Sequence, residues 1–565
     1  MILAASSQLR LDTNWVDYLL IATYFVFVLG IGLIAKRAVS SSIDFFLSGR
    51  SLPAWVTGLA FISANLGAVE IIGMSANGAQ FGIPTVHYFW IGAVPAMLFL
   101  GVVMMPFYYG SKVRSVPEFM RRRFGTGAHL VNALSFALAQ LLIAGINLYL
   151  LAKIVEVILG WNLYVSLVAA AIVVLTYTSL GGLSAAIYNE VLQFFVIVAA
   201  LLPLTVVGLH KVGGYGGLKD KIAATAGGSD QLSSWPGTNI TAIDNPVLSV
   251  IGLVFGLGFV LSFGYWTTNF VEVQRAMASS SISAAQRAPI IGAFPKMFIP
   301  FIVIFPGMIA GVLVTSVANA KASGAKFDYN NSLIYLIRDL LPNGMLGVAI
   351  AGLLASFMAG MAANISAFNT VFSYDLWQTY VKKDKADGYY LAVGRWATLA
   401  ATLIAIGTAL FASQYSNIMN YLQTLFGFFN APLFATFILG MFWKRMTATA
   451  GWVGLVSGTL AAIVVAVLGT GVLGSLSIGV ISLSGQGASF VAAGAAFVVD
   501  ILVSVAVTMV TQPREESELR GLVYSLTPKA DFHDASEGVL SWYQQPTKLA
   551  GVGLVLVIIL NILFW

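Results

Sequence analysis

The chain has 565 residues, 58% of them hydrophobic and 9% charged, with a mean hydropathy of +0.87. A soluble domain carries roughly 25% charged residues to meet water over its surface, so the composition excludes a soluble enzyme, a disordered tail and a secreted disulfide scaffold, and leaves a helical membrane protein of many spans. With no cysteine there is no disulfide framework, thiolate metal site or cysteine nucleophile, and the net charge of +6 fits basic loops on one side of a membrane.

A helix that crosses the hydrocarbon needs about 20 apolar residues. In chain order the runs that qualify are 15–35, 54–79, 86–109, 128–159, 163–181, 184–210, 247–275, 287–316, 345–375, 391–412, 417–442, 449–472, 489–511 and 548–565, about fourteen spans. The first ends in Lys36 and Arg37 without a small-residue cleavage site, which predicts a retained helix rather than a signal peptide. An even number of spans places both termini on one side. Lys and Arg number 19 in one alternating set of loops and 7 in the other, which predicts a multi-pass cell-membrane protein with both termini outside. The basic residues are spread over separate loops without an aromatic platform, so no nucleic-acid partner is expected. The longer loops, 211–246 and 513–547, do not read as folded domains, and no obligate protein partner is implied. Asn239 lies in an Asn-Ile-Thr acceptor pattern.

Two spans are interrupted by small and polar residues halfway along, at Ser63-Ala64-Asn65-Leu66-Gly67 and at Ser262-Phe263-Gly264-Tyr265-Trp266. Unwound backbone inside a bilayer is tolerated where it lines a cavity, so the pair predicts two broken helices bordering a midplane site, at the spacing of two five-helix inverted repeats. Close helix packing is the competing reading of either interruption alone. Ionisable residues inside spans are the second signal. Lys153 and Glu156 are expected to pair one turn apart, as are Glu272 and Arg275, whereas Glu70 and Lys296 have no local opposite charge and either satisfy each other or bind a polar solute. His87, His129, His210 and His533 show no ligand spacing, so no metal enzyme is expected.

These features are joined by Phe46-Leu47-Ser48-Gly49-Arg50-Ser51-Leu52-Pro53, Ile72-Gly73-Met74-Ser75, Ser115-Val116-Pro117-Glu118-Phe119, Gly181-Gly182-Leu183-Ser184-Ala185, Gln274-Arg275 and Phe442-Trp443-Lys444. Together they resemble the solute:sodium symporters, in their sodium/glucose (galactose) cotransporter branch. The resemblance implies an all-α integral membrane protein with the LeuT-type 5+5 inverted repeat and flanking helices. It divides the chain into a leading helix and linker (1–50), a first repeat (51–210), an outer loop (211–246), a second repeat (247–445) and flanking helices (446–565).

The resemblance also implies a substrate set. Asn65 and Glu70 stand at sugar-contacting positions, the latter usually Gln, and Lys296 and Gln423 match sugar-binding residues. Tyr265 matches the aromatic that closes the inner gate, with Trp266 beside it. Tyr88 and Asn420 complete the set, while Phe89 and Ser262 replace a Glu and an Asn. Glu190 matches the acid that helps sodium leave inward. Sodium, the implied coupling ion, would be held at Ser63, Leu66, Ser356, Ala359 and Gly360, of which the last two lack the family's hydroxyls. No other cofactor is implied. The expected activity is sodium-coupled symport of a monosaccharide or polyol by alternating access. The alternatives are proton coupling through Glu70, an uncoupled transporter or solute sensor, and a carboxylate or amino-acid substrate.

Overall fold

A computed structural model describes residues 11–36, 42–111, 113–225, 228–235, 240–241, 243, 246–323, 327–415, 417–469, 485–532 and 540–565. The acceptor pattern at Asn239, His533 and the loop cations Arg10, Arg37, Lys112 and Lys326 lie outside them.

A backbone in hydrocarbon has no water to bond, so each apolar run closes its own hydrogen bonds as a helix. The main helices are α1 (Trp15–Lys36), α2 (Ala54–Asn65), α3 (Val69–Phe81), α4 (Ile83–Gly110), α5 (Val116–Phe124), α6 (Thr126–Leu159), α7 (Leu163–Val212), α8 (Pro246–Thr268) and α9 (Phe270–Met277). They continue as α10 (Ile282–Leu313), α11 (Thr315–Ser323), α12 (Met345–Val381), α13 (Asp387–Ala412), α14 (Ile418–Phe442), α15 (Ala448–Gly469), α16 (Gly485–Val510) and α17 (Pro546–Leu563). Among the described residues, 12 helices are long and apolar enough to cross a membrane, and the bent pair α2 and α3 makes 13. Spans 163–181 and 184–210 both lie on the one long helix α7, whose first part over Leu163–Thr176 is apolar. Span 345–375 runs on to Val381, because π-helical turns over Val371–Val381 extend the helix.

Burial sorts the helices. The most apolar window of α12 is 89% buried, whereas those of α1 and α17 are 22% buried, so α12 is central and the other two face outward. Glycines set the closest approaches. A Cβ on Gly78 of α3 would lie 2.4 Å from the Ile304 carbonyl oxygen of α10, and one on Gly307 would lie 2.0 Å from that of Ser75. Backbones that close let dispersion replace the hydrophobic drive that lipid removes. Pro432 inside α14 cannot donate to the Phe428 carbonyl, and Thr459 Oγ1 of α15 donates to that oxygen at 3.1 Å.

The first break is where the sequence predicts it. Leu66 leaves the helical region at ψ 42°, and α2 and α3 meet at 58°. The second is not. Ser262–Trp266 is helical, π-helical up to Phe263 and α-helical from Gly264, and the chain breaks at Asn269 (φ −73°, ψ 115°). The reason is local. Ser262 Oγ donates to the Leu257 carbonyl within its own helix, whereas Asn269 is extended and its side chain accepts from Val271 N, starting a new helix as a good N-cap does.

Candidate solute and ion site

One cavity lies between the two breaks, walled by α2, α3, α4, α6, α8, α9, α10, α12 and α14. Lys296 of α10 reaches into it and is 1% exposed. Its Nζ donates to Asn65 Oδ1 and Glu70 Oε1 and stands 4.8 Å from the Phe89 ring centre and 5.2 Å from that of Trp266. Glu70 and Lys296 thus satisfy each other across the first break. Asn65 Nδ2 donates to the Tyr265 hydroxyl at 3.1 Å, which donates in turn to Glu272 Oε1 at 2.6 Å. One line of hydrogen bonds therefore runs from Glu70 at the first break to Glu272 beyond the second. The Tyr265 ring packs on Phe426 at 4.6 Å and edge-on against Trp266 at 5.3 Å.

The other sequence-predicted substrate positions divide. Ser262, Tyr88 and Gln423 line the cavity. Gln423 Nε2 meets only the Met419 sulfur at 3.2 Å and its Oε1 has no partner, an unused acceptor at the wall. Tyr88 donates to Gln486 Oε1 of α16 at 2.5 Å, and Gln486 Nε2 and Asn417 Nδ2 both donate to Asn77 Oδ1, at 2.8 and 3.1 Å. That amide cluster ties Tyr88 at the cavity wall to α3 and α16. Phe89 and Asn420 are not wall residues. Phe89 lies under the Lys296 ammonium instead, and the buried Asn420 Oδ1 meets no donor.

At the positions expected to hold sodium, Ser356 Oγ donates to the Leu66 carbonyl at 2.5 Å, and Ser63 Oγ is buried without a partner. Ala359 is buried and brings no side-chain oxygen. Gly360 borders the cavity, and a Cβ on it would stand 2.6 Å from Asn147 Oδ1, which itself accepts from Ala68 N at 3.0 Å. Sequence reasoning missed Asn147; its signal is a buried carboxamide within an apolar stretch of α6, shared with Gln140 two turns earlier.

Two expected ion pairs are corrected. Arg275 binds Glu190 of α7 through two nitrogens, at 2.6 and 3.3 Å, and not Glu272 on its own helix. A guanidinium fork fits one carboxylate with both prongs, which helical neighbours at this spacing do not present. Lys153 pairs with Asp328 at 2.9 Å instead of Glu156. Among the described residues no group of three His, Asp or Glu side chains could hold a metal ion.

The sequence pattern of the Sodium:solute symporter family matches residues 45–458. The chain belongs to that family. It is a sodium-coupled solute symporter and not an enzyme. The symporter is 29% identical over 469 residues to the sodium/glucose cotransporter of Vibrio parahaemolyticus, covering 80% of this chain and 85% of the relative. It is 30% identical to sodium/glucose cotransporter 4 of Danio rerio over 79% of this chain and 71% of that one. With sodium/myo-inositol cotransporter 2 of Oryctolagus cuniculus it shares 30% identity over 79% and 68%. A solved structure of a Na+-coupled sialic acid symporter, substrate-bound and outward-open, superposes with a TM-score of 0.74 at 19% identity, covering 89% of this chain and 99% of that one. The fold is accordingly the LeuT-type inverted repeat with flanking helices.

Proposed function

We propose that this symporter carries a neutral polyhydroxylated solute, a monosaccharide or cyclic polyol, inward with sodium by alternating access. The observation that carries this reading is the mutual neutralisation of Lys296 and Glu70 inside the cavity. The wall then presents donors, acceptors and ring faces without a net charge, which suits hydroxyl groups around an apolar ring face. Gln423 Oε1 offers an acceptor, Asn65, Glu70 and Lys296 form the polar side, and Tyr265 and Trp266 supply the ring faces. A carboxylate or amino-acid solute would have to displace Glu70 from Lys296 first. Transport of glucose and of myo-inositol is named for the relatives, which supports the same class here.

In this reading the sodium ion sits by the first break, with the Leu66 carbonyl and the hydroxyls of Ser63 and Ser356 as oxygen donors, and Glu190 assists its release. Asn147 Oδ1 fills the side-chain space at Gly360 and adds a further oxygen that a hard cation accepts. Uptake of labelled glucose, galactose and myo-inositol into proteoliposomes, with an inward sodium gradient or with choline, tests the proposal. Saturable, sodium-driven uptake of at least one is expected; no saturable uptake of any under either condition overturns it.

A further inference from the structure

Glu272 lies on α9 just past the break at Asn269 and is fully buried. Its Oε1 accepts the Tyr265 hydroxyl at 2.6 Å, and its Oε2 is buried and meets no donor. Neither neighbouring cation forms an ion pair with it. Arg275 is committed to Glu190, the Val271 carbonyl and Gln274 Oε1, and Lys296 to Asn65 and Glu70. A carboxyl withdrawn from water with one hydroxyl donor and no cation in contact is a place where positive charge binds.

The size of the site selects the cation. A metal ion needs a shell of several oxygens, and here Tyr265 is the one side chain that bonds the carboxyl among the described residues. A proton needs a single lone pair, and Oε2 has one unused. We propose that Glu272 is a proton-binding site that sets the hold on Tyr265, alongside sodium coupling and independently of which solute the cavity accepts. Without the proton, the carboxylate holds the hydroxyl through a charge-assisted bond. When an O–H bond forms at Oε2, that bond becomes an ordinary one and the ring is freer to leave the cavity wall; the proton comes from water and returns to it. The charged groups acting on Glu272 are Arg275, Lys296 and Glu190, with Glu70 beyond Lys296. Of the other elements packed on α9, α2 carries no titratable residue and neither does α12 over Met345–Thr370. The Tyr108 and Tyr109 hydroxyls of α4 donate to the Thr267 and Ser279 carbonyls, and Asp44 of the short helix Ser42–Leu47 stands beside Gly49.

The test is an infrared pH titration of the purified protein in lipid, without solute, in sodium and in choline. A carboxylic C=O band should appear as the pH falls, be the same in both salts, and be lost in Glu272→Gln. In Tyr265→Phe the band should persist at a shifted frequency, because its hydrogen bond is gone. A band retained in Glu272→Gln, a band that follows sodium instead of pH, or a difference spectrum without any titrating carboxyl would each overturn the proposal. Should Glu272→Gln give no folded protein, Tyr265→Phe decides alone, and an unshifted band overturns the assignment.

Discussion

Lys296 is held by two oxygens and two ring faces, and removing it does two separable things. In the proposed site the solute loses a donor, and Glu70, largely but not fully buried, is left without its ion-pair partner, which destabilises a fold by up to about 3–5 kcal/mol. Lys296→Ala should therefore abolish solute uptake and lower the thermal midpoint, and adding Glu70→Gln should restore much of the midpoint but none of the uptake. Gln423→Ala is the contrasting case. Its side chain has only a sulfur contact to lose, so uptake should fall at least tenfold while stability changes by less than about 1 kcal/mol. Wild-type kinetics in both variants would remove these residues from the site. Lone charges in apolar runs made Lys296 and Glu70 legible in the sequence, whereas Gln423 was implied only by the family resemblance. Their partners were less so, since an ion pair between helices depends on which faces tertiary packing turns together. Hence Arg275 and Lys153 were matched to neighbours on their own helices, when Glu190 and Asp328 hold them.

At the scale of elements, hydrophobic run length located most crossings, because no other conformation hides a backbone from lipid. It did not locate the second break. Small residues at Ser262 and Gly264 are compatible with a helix, and what ends the helix is the Asn269 side chain capturing Val271 N, a cap that competes with a continuous helix only through its surroundings. The α3 and α10 contact makes a prediction of its own. Gly307→Ala pushes a methyl against the Ser75 backbone, 2.0 Å away as placed, and overpacking of this kind costs about 1–3 kcal/mol. The thermal midpoint of the purified protein should drop accordingly, and an unchanged midpoint would show that the two helices do not touch there.

For the whole molecule, the loop cations predict a topology that the absence of cysteine makes simple to check. Single cysteines at Ser229 and Ser517 need no background removed. An impermeant maleimide added to intact cells should label Ser229→Cys and spare Ser517→Cys until the membrane is opened; the reverse pattern would invert the orientation.

The bond between Lys296 and Glu70 also bears on how the carrier works when empty. Each group is a tethered ligand for the other, held beside it at a high effective concentration. In the proposed site an arriving solute has to compete with it, which would lower affinity and speed departure. In the vacated carrier neither Lys296 nor Glu70 is left as a lone charge on the way back for the next load.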